Sequence, residues 1–253
     1  MLRIFGILVA GASAALASVA MAADDPAARA LLAQAAQVAG GETWLRPRTL
    51  VMRGTADFYA PGKSAPVSHS DDYRMWRAMN LDRITSHAAD GMVRIRASSG
   101  PKTLFEVGCN GTTTWNDHGV VPKAEADVYW ASAFGFGVIR QALSEGFTVE
   151  RAPDRGVDGH AVDMIRITDP GGQQTLFGLD HLSHYIRYMG FTTPKGWHER
   201  TYDDFVMLQH PRWLQARTVT LFYNGVRSNT VYWTSVVVNQ PLPADQFAPP
   251  PKP

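Results

Sequence analysis

Eight histidines are the first places to look for catalysis or metal binding in this chain. His181 and His184, in DHLSH, are three residues apart. Read as a strand, that spacing sends them to opposite faces, which is poor for chelation. No HExxH, CxxC or HxH occurs, and His198-Glu199 and Asp203-Asp204 could supply ligands only if the fold gathered them. Ser183 stands between two histidines but outside any GxSxG elbow. The paired carboxylates Asp71-Asp72 and Asp203-Asp204 are adjacent, so a strand points each pair to opposite faces. They read as ion pairs or solvated faces rather than as a general acid and base. FGFGV, with Gly135 and Gly137, is a two-glycine echo of a phosphate loop without GxGxxG, and reads as helix flexibility. The expectation is therefore no metal, no cofactor and no enzyme. A hydrolase using His181, His184, His198 or Asp203 would require those scattered groups to converge in three dimensions.

The elements that would position these residues are mainly strands. Asp25 can cap a helix, Pro26 fits its first position, and AARALLAQAAQVA places Leu31, Ala35 and Val38 on one face with Ala28 and Leu32 beside it. Gly40-Gly41 ends it. The period then changes to two: Leu50, Met52, Gly54, Ala56 and Phe58 alternate with Val51, Arg53, Thr55, Asp57 and Tyr59. DDYRMWRAM, LDRITSH, GMVRIRAS and TLFEVG read as further strands, and NGTTTW as a tight turn leading into Trp115. Pro122 to Gly146 reads as one or two helices loosened by Gly135 and Gly137. Strand patterns then run to the end, punctuated by Asp158-Gly159, Asp169-Pro170-Gly171-Gly172, Pro194-Lys195-Gly196 and Asn224-Gly225. Short connections imply antiparallel hairpins. The fold class is mainly β (α+β): a strongly curved antiparallel half-barrel sheet with an N-terminal helix and a central helical lid insert, as a sheet this long must curl to bury one face.

The first residues bear on location. Arg3, a run of small apolar residues and Ala20-Met21-Ala22 make a signal peptide over residues 1–22, cleaved near Ala22/Ala23. No cysteine follows for lipidation and no twin arginine precedes; an uncleaved anchor is the alternative. The expected site is the periplasm, which removes nucleotide cofactors and nucleic acid from the partners. Residues 23–247 form one domain and residues 248–253 a Pro-rich disordered tail. Without Arg3, 23 of the 24 basic residues stand against 23 acidic ones in the exported part, so charge argues for no polyanionic partner. The single cysteine, Cys109, reads as a small half-buried residue.

What stands out is apolar surplus in the insert. Trp130, Phe134, Val138 and Ile139 form a helical stripe that packs as core or lids a cavity inside the curled sheet.

Four segments together resemble the outer-membrane lipoprotein carrier superfamily (LolA/LolB-like), in the manner of an uncharacterised periplasmic relative. They are the Gly-ended N-terminal helix, RMWRAMNLDRI (Arg74–Ile84), VGCNGTTTW (Val107–Trp115) and VVVNQPLPADQFAPP (Val236–Pro250). The resemblance implies a half-barrel whose concave side, closed by helices, takes acyl chains of lipoproteins or other amphiphiles. It maps the family's basic strand residue, which helps control lid closure and cargo transfer, onto Arg77. Ala78 and Met79 stand where the family pattern has proline. From the residues alone, Arg77 reads rather as a surface charge beside Asp71 or Asp72. Arg83 matches a later arginine and reads as structural.

The ligand-binding residues implied are Arg77, Trp115, Trp130, Phe134, Val138 and Ile139, with Gly135 and Gly137 as the hinge of the lid. Such a carrier must match about 0.8 kcal/mol per CH₂ of an acyl chain withdrawn from a membrane. Its expected partners are a lipid or an acylated protein cargo and an outer-membrane or inner-membrane protein. An envelope sensor or partner-binding module on the same fold is the alternative, and the hydrolase a second.

Overall fold

Asp25 does cap the first helix, α1 (Pro26–Ala39): its carboxylate accepts a hydrogen bond from Ala27 N at 2.8 Å. Gly40, at φ 137, ends it where a Cβ would press on the Arg212 carbonyl. The buried face is Ala28, Leu32, Ala35, Ala36 and Ala39. Leu31 and Val38, expected at its centre, lie half-buried at its rim, because small alanines let the helix settle closest along the Leu32–Ala36 line. A short turn of helix, α2 (Glu42–Leu45), follows and buries Trp44. The computed structural model describes residues 24–89 and 91–249. The expected signal peptide, residues 1–22, and residues 250–253 of the expected tail lie outside the described residues.

The first half of the sheet comprises β1 (Thr49–Phe58), β2 (Ser68–Ala78), β3 (Met92–Ser99), β4 (Lys102–Cys109), β5 (Thr114–Asn116) and β6 (Gly119–Val120). The insert follows as α3 (Lys123–Ala133) and α4 (Val138–Gln141). The second half comprises β7 (Thr148–Arg151), β8 (Arg155–Val157), β9 (His160–Thr168), β10 (Gln174–Asp180), β11 (Ile186–Thr193), β12 (Gly196–Gln209), β13 (Arg212–Tyr223) and β14 (Val226–Val238). A 3₁₀ turn, Ala244–Phe247, ends the chain's regular structure.

These strands form one antiparallel sheet in the order β6-β5-β4-β3-β2-β1-β14-β13-β12-β11-β10-β9-β7, with β8 paired beside β9. The order is linear, so the sheet does not close. It is a strongly curved half-barrel with the N-terminal helix and the helical insert against it. The two halves join where β1 pairs with β14, Leu50 opposite Val238. Register slips at Arg53/Gly54 and Gly54/Ala56 bend β1. Gly54 is required there, since a Cβ would overlap the Tyr232 backbone. The tight turns use the residues that tolerate positive φ: Asn224-Gly225 at φ 51 and 75, and Asp158-Gly159 at φ 48 and 82.

Two expected features differ. LDRITSH is not a strand. The Asn80 side chain accepts from Asp82 N at 3.0 Å and turns the chain, and Asp169 takes the Ser86 N–H at 2.7 Å, so backbone donors a strand would offer a neighbour are already used. Arg83 is buried there and donates to the Thr85 carbonyl, a structural role. DHLSH is a turn between β10 and β11 rather than a strand, because the Asp180 carboxylate collects the Leu182 and Ser183 N–H groups and His184 sits at φ 58. Cys109 is buried, not half-buried.

An apolar cavity under the helical insert

The inner face of the sheet is set by alternation and register. Leu50 and Met52 of β1 point inward opposite Arg77 and Met75 of β2. On β12, His198, Arg200 and Tyr202 share the inner face and pair with Tyr223, Leu221 and Val219 of β13. Across this concavity lie α1, α2 and the insert. Between them is a cavity of about 340 Å³, in the range of small-molecule pockets. Its walls are largely aromatic and aliphatic, with Trp44, Phe58, Phe105, Trp213 and Trp233 among them. Among the described lining residues there is no aspartate or glutamate, but there are three arginines: Arg77, Arg140 and Arg200.

All three hold the insert. Arg77 is buried, not a surface charge beside Asp71 or Asp72, and its guanidinium lies 5.1 Å over the Phe134 ring. Asp72 is taken instead by Arg53 and Arg74, at 3.0 and 2.8 Å, while Asp71 accepts from Gly100 N. Arg140 is boxed by Trp44, Phe136 and Trp213, and its Nε donates to the Trp44 carbonyl at 2.8 Å. Arg200 donates to the Ala133 carbonyl, and Tyr223 OH to the Ser132 carbonyl at 2.7 Å. These bonds satisfy carbonyls that the end of α3 would otherwise leave open.

Arg200 also donates from Nε to His198 Nε2, at 2.9 Å. His198 is wholly buried between Phe191 and Tyr223, with ring centroids at 5.0 and 4.7 Å. Burial, then the Arg200 charge and then His87, push its pKa down to about 2. His87 stacks on the other side of Phe191 at 4.1 Å, and burial holds its pKa down to about 4 against the pull of Asp169.

The expected site residues divide. Arg77, Phe134, Gly135 and Gly137 line the cavity. Trp115, Trp130, Val138 and Ile139 do not. Trp130 packs α3 onto β3 and β4, with its indole N–H on Thr114 Oγ1 at 2.8 Å. Val138 and Ile139, the first residues of α4, are buried in the main core. Trp115 lies at the β4–β5 edge and bonds the Phe247 carbonyl. A helical stripe tells which residues share a face, and here only its broken middle meets the cavity. Arg200 and the tyrosines around it escaped the sequence reading, although the alternation in WHERTY already puts His198, Arg200 and Tyr202 together.

The remaining chemical groups stay apart. Asp203 pairs with Arg187 at 3.2 Å, Asp204 with Arg217 at 2.6 Å, and His181 with Asp163 at 3.1 Å. Among the described residues no three His, Cys, Asp or Glu gather as a metal cluster.

Neither glycine at the break has a positive φ. Gly135 answers a close approach: a Cβ would stand 2.6 Å from the Phe191 ring, which is itself fixed between His87 and His198. Gly137 has ordinary helical angles, φ −58 and ψ −27. Gly135→Ala should therefore cost about 1–3 kcal/mol by overpacking. Gly137→Ala should leave stability unchanged or raise it by about 0.4–1 kcal/mol. Urea unfolding of the two variants checks this, and equal midpoints would refute the close-approach account.

Comparison with solved structures decides the fold. An outer membrane lipoprotein-sorting protein domain from Vibrio parahaemolyticus superposes at TM-score 0.50 with 11% identity, covering 87% of this chain and 97% of that one. A LolA superfamily protein from Nitrosomonas europaea superposes at TM-score 0.52 with 10% identity, covering 88% and 97%. This chain has a LolA-like fold. A DUF1329 family protein from Desulfovibrio piger gives TM-score 0.50 at 9% identity over 87% and 96%. The sequence matches no family model and no curated protein. The LolA-like fold accordingly rests on backbone geometry.

Proposed function

We propose that this chain is an exported envelope protein that binds, and carries between membranes, an amphipathic hydrophobic ligand: a lipid or the acyl chain of a lipoprotein. The observation that carries this reading is the apolar cavity held open between the concave sheet and the insert. Side chains as large as Trp44, Trp213 and Trp233 line the space without filling it, and an apolar volume of this size is the form ligand pockets take. The LolA-like fold agrees with it. Gly135 and Gly137 lie where the insert would move to admit cargo, and the contacts of Arg77, Arg200 and Tyr223 with that stretch are the ones such movement would break. A membrane protein that delivers or receives the cargo is the implied partner, and binding rather than catalysis is the activity.

The test is native mass spectrometry of protein purified from a bacterial periplasm without detergent, followed by solvent extraction. A co-purified lipid or acylated peptide is the expected result. The paired variant is Ala216→Trp, which places an indole in the cavity from β13. It should abolish uptake of a fluorescent fatty acid while the far-ultraviolet spectrum is kept. An unliganded mass with no uptake by either protein would overturn the reading.

A further inference from the structure

The cavity is not uniformly apolar. At one place β2, α3, β12 and β13 bring Tyr73, Tyr129, Tyr202 and Tyr223 around Arg200, all five lining the same space. Their proximity shows in their acidities. Burial raises all four phenols, Tyr73 and Tyr202 to about 12, and the Arg200 charge acts on each of them. Tyr73 and Tyr223 also act on Tyr129, so these three hydroxyls converge. The phenols thus keep their protons and present donors. Tyr223 donates its hydrogen bond to the Ser132 carbonyl, while the hydroxyls of Tyr73 and Tyr129 make no hydrogen bond among the described residues.

Arg200 itself bonds only neutral groups among the described residues, the Ala133 carbonyl, His198 and Tyr202, and no described carboxylate pairs with it. A guanidinium in an apolar cavity without a counter-ion is an incomplete electrostatic arrangement. His198 cannot relieve it, since its Nε2 accepts from Arg200 and it stays neutral. An anion would complete the site by charge-assisted hydrogen bonds from Arg200 and hydrogen bonds from Tyr73 and Tyr129. The walls away from this place, such as Leu50, Met52 and Trp44, are apolar and suit a chain.

We infer that the ligand is an amphiphile with an anionic head, a carboxylate or phosphate on an acyl or alkyl chain, and that Arg200 with the surrounding tyrosines is its head-group subsite. This rests on the cavity reading above and names the ligand class for it. The other two lining arginines are engaged with the insert, Arg77 over the Phe134 ring and Arg140 boxed by aromatic rings with its Nε on the Trp44 carbonyl, and Gln215, Ser228 and Asn229 carry no charge to compete for the head.

Binding is read from the fluorescence of Trp44, Trp213 and Trp233, which line the cavity. The probes are dodecanoic acid, dodecyl phosphate, dodecanol, dodecyltrimethylammonium and inorganic phosphate. The acid and the alkyl phosphate should bind at least about tenfold tighter than the alcohol, the value of hydrogen bonds to a charged group. The cationic probe should bind weakest and inorganic phosphate not measurably. Arg200→Met should bring the acid down to the level of the alcohol, and Arg200→Lys should keep part of the preference. Equal affinity for acid and alcohol in the unaltered protein overturns the anionic subsite while leaving the cavity reading intact. No binding of any chain overturns the cavity reading itself. Inorganic phosphate binding as tightly as dodecyl phosphate would mean a free-anion site and overturn the amphiphile. The comparison of probes on the unaltered protein decides the matter even if an Arg200 variant fails to fold.

Discussion

Acidification from about pH 7 to about pH 4.5 is expected to lower the unfolding free energy by several kcal/mol. The cause is the half-buried His87 and the wholly buried His198, which flank the Phe191 ring. Their folded pKa values, about 4 and about 2, lie below the ordinary 6.5. Above about pH 6.5 both residues are neutral folded or unfolded, and stability does not depend on them. Below it the unfolded chain takes up a proton at each histidine that the folded chain refuses. Stability then falls by about 1.4 kcal/mol per pH unit for each. The fall continues down to about pH 4 for His87 and to about pH 2 for His198. Burial is the main cause at both sites. At His198 the geometry adds to it: a proton on Nε2 would break the bond from Arg200 and set two cations side by side. The carboxylates held low, Asp24 by its bond from Arg29 and Asp72 by its bond from Arg74, lose their contribution only below their ordinary 3.8, outside this window. Urea midpoints measured across the range should fall steadily, and His198→Phe should remove about half of the slope. A midpoint independent of pH in this window would sink the argument.

Trp115→Ala is expected to cost about 3–5 kcal/mol, among the largest effects of any single truncation in the chain. Trp115 is fully buried, and its ring lies so close under Gly108, its partner across β4 and β5, that no Cβ fits there. Its indole N–H donates to the Phe247 carbonyl at 2.9 Å, and the Arg94 guanidinium lies 5.5 Å over its ring. Arg94 in turn reaches the Gln246 carbonyl at 3.1 Å and Glu106 at 2.7 Å. Truncation therefore opens a cavity and releases the final 3₁₀ turn from β3 together. Trp115→Phe keeps most of the packing and loses the hydrogen bond, and should cost about 1–2 kcal/mol. Chemical unfolding separates the two. A loss under about 1 kcal/mol for the alanine variant would show that the edge can collapse around the missing ring. Ligand affinity should be nearly unchanged in both, because Trp115 lies outside the cavity lining.

Much of the fold was legible because local rules act locally. Asp25, Pro26 and Gly40 bound α1 by capping and by φ, needing no distant partner. The alternation from Leu50 to Phe58 placed one face inward. Asn224-Gly225 and Asp158-Gly159 made the turns their angles require. The segment LDRITSH misled because its hydrophobic spacing suits a strand, while side chains distant in sequence, Asp169 among them, hold its backbone. The candidate site was legible only at Phe134, Gly135, Gly137 and Arg77. Trp130, Val138 and Ile139 have the same apolar character but face other layers, and periodicity does not say which layer a helix face meets.

By itself, then, the sequence determined the elements, their turns and the inner face of the first strand, since these depend on φ, capping and a period of two. The tertiary structure alone decided that β1 pairs with β14, which bends one sheet around a cavity. It alone decided that Arg200, in a strand segment polar on both faces, turns inward among Tyr73, Tyr129, Tyr202 and Tyr223. The physical reason is that pairing register and curvature are fixed by contacts between residues far apart in sequence, such as Leu50 with Val238. A charged residue's own neighbours in the chain carry no record of which side of the sheet the helices will cover.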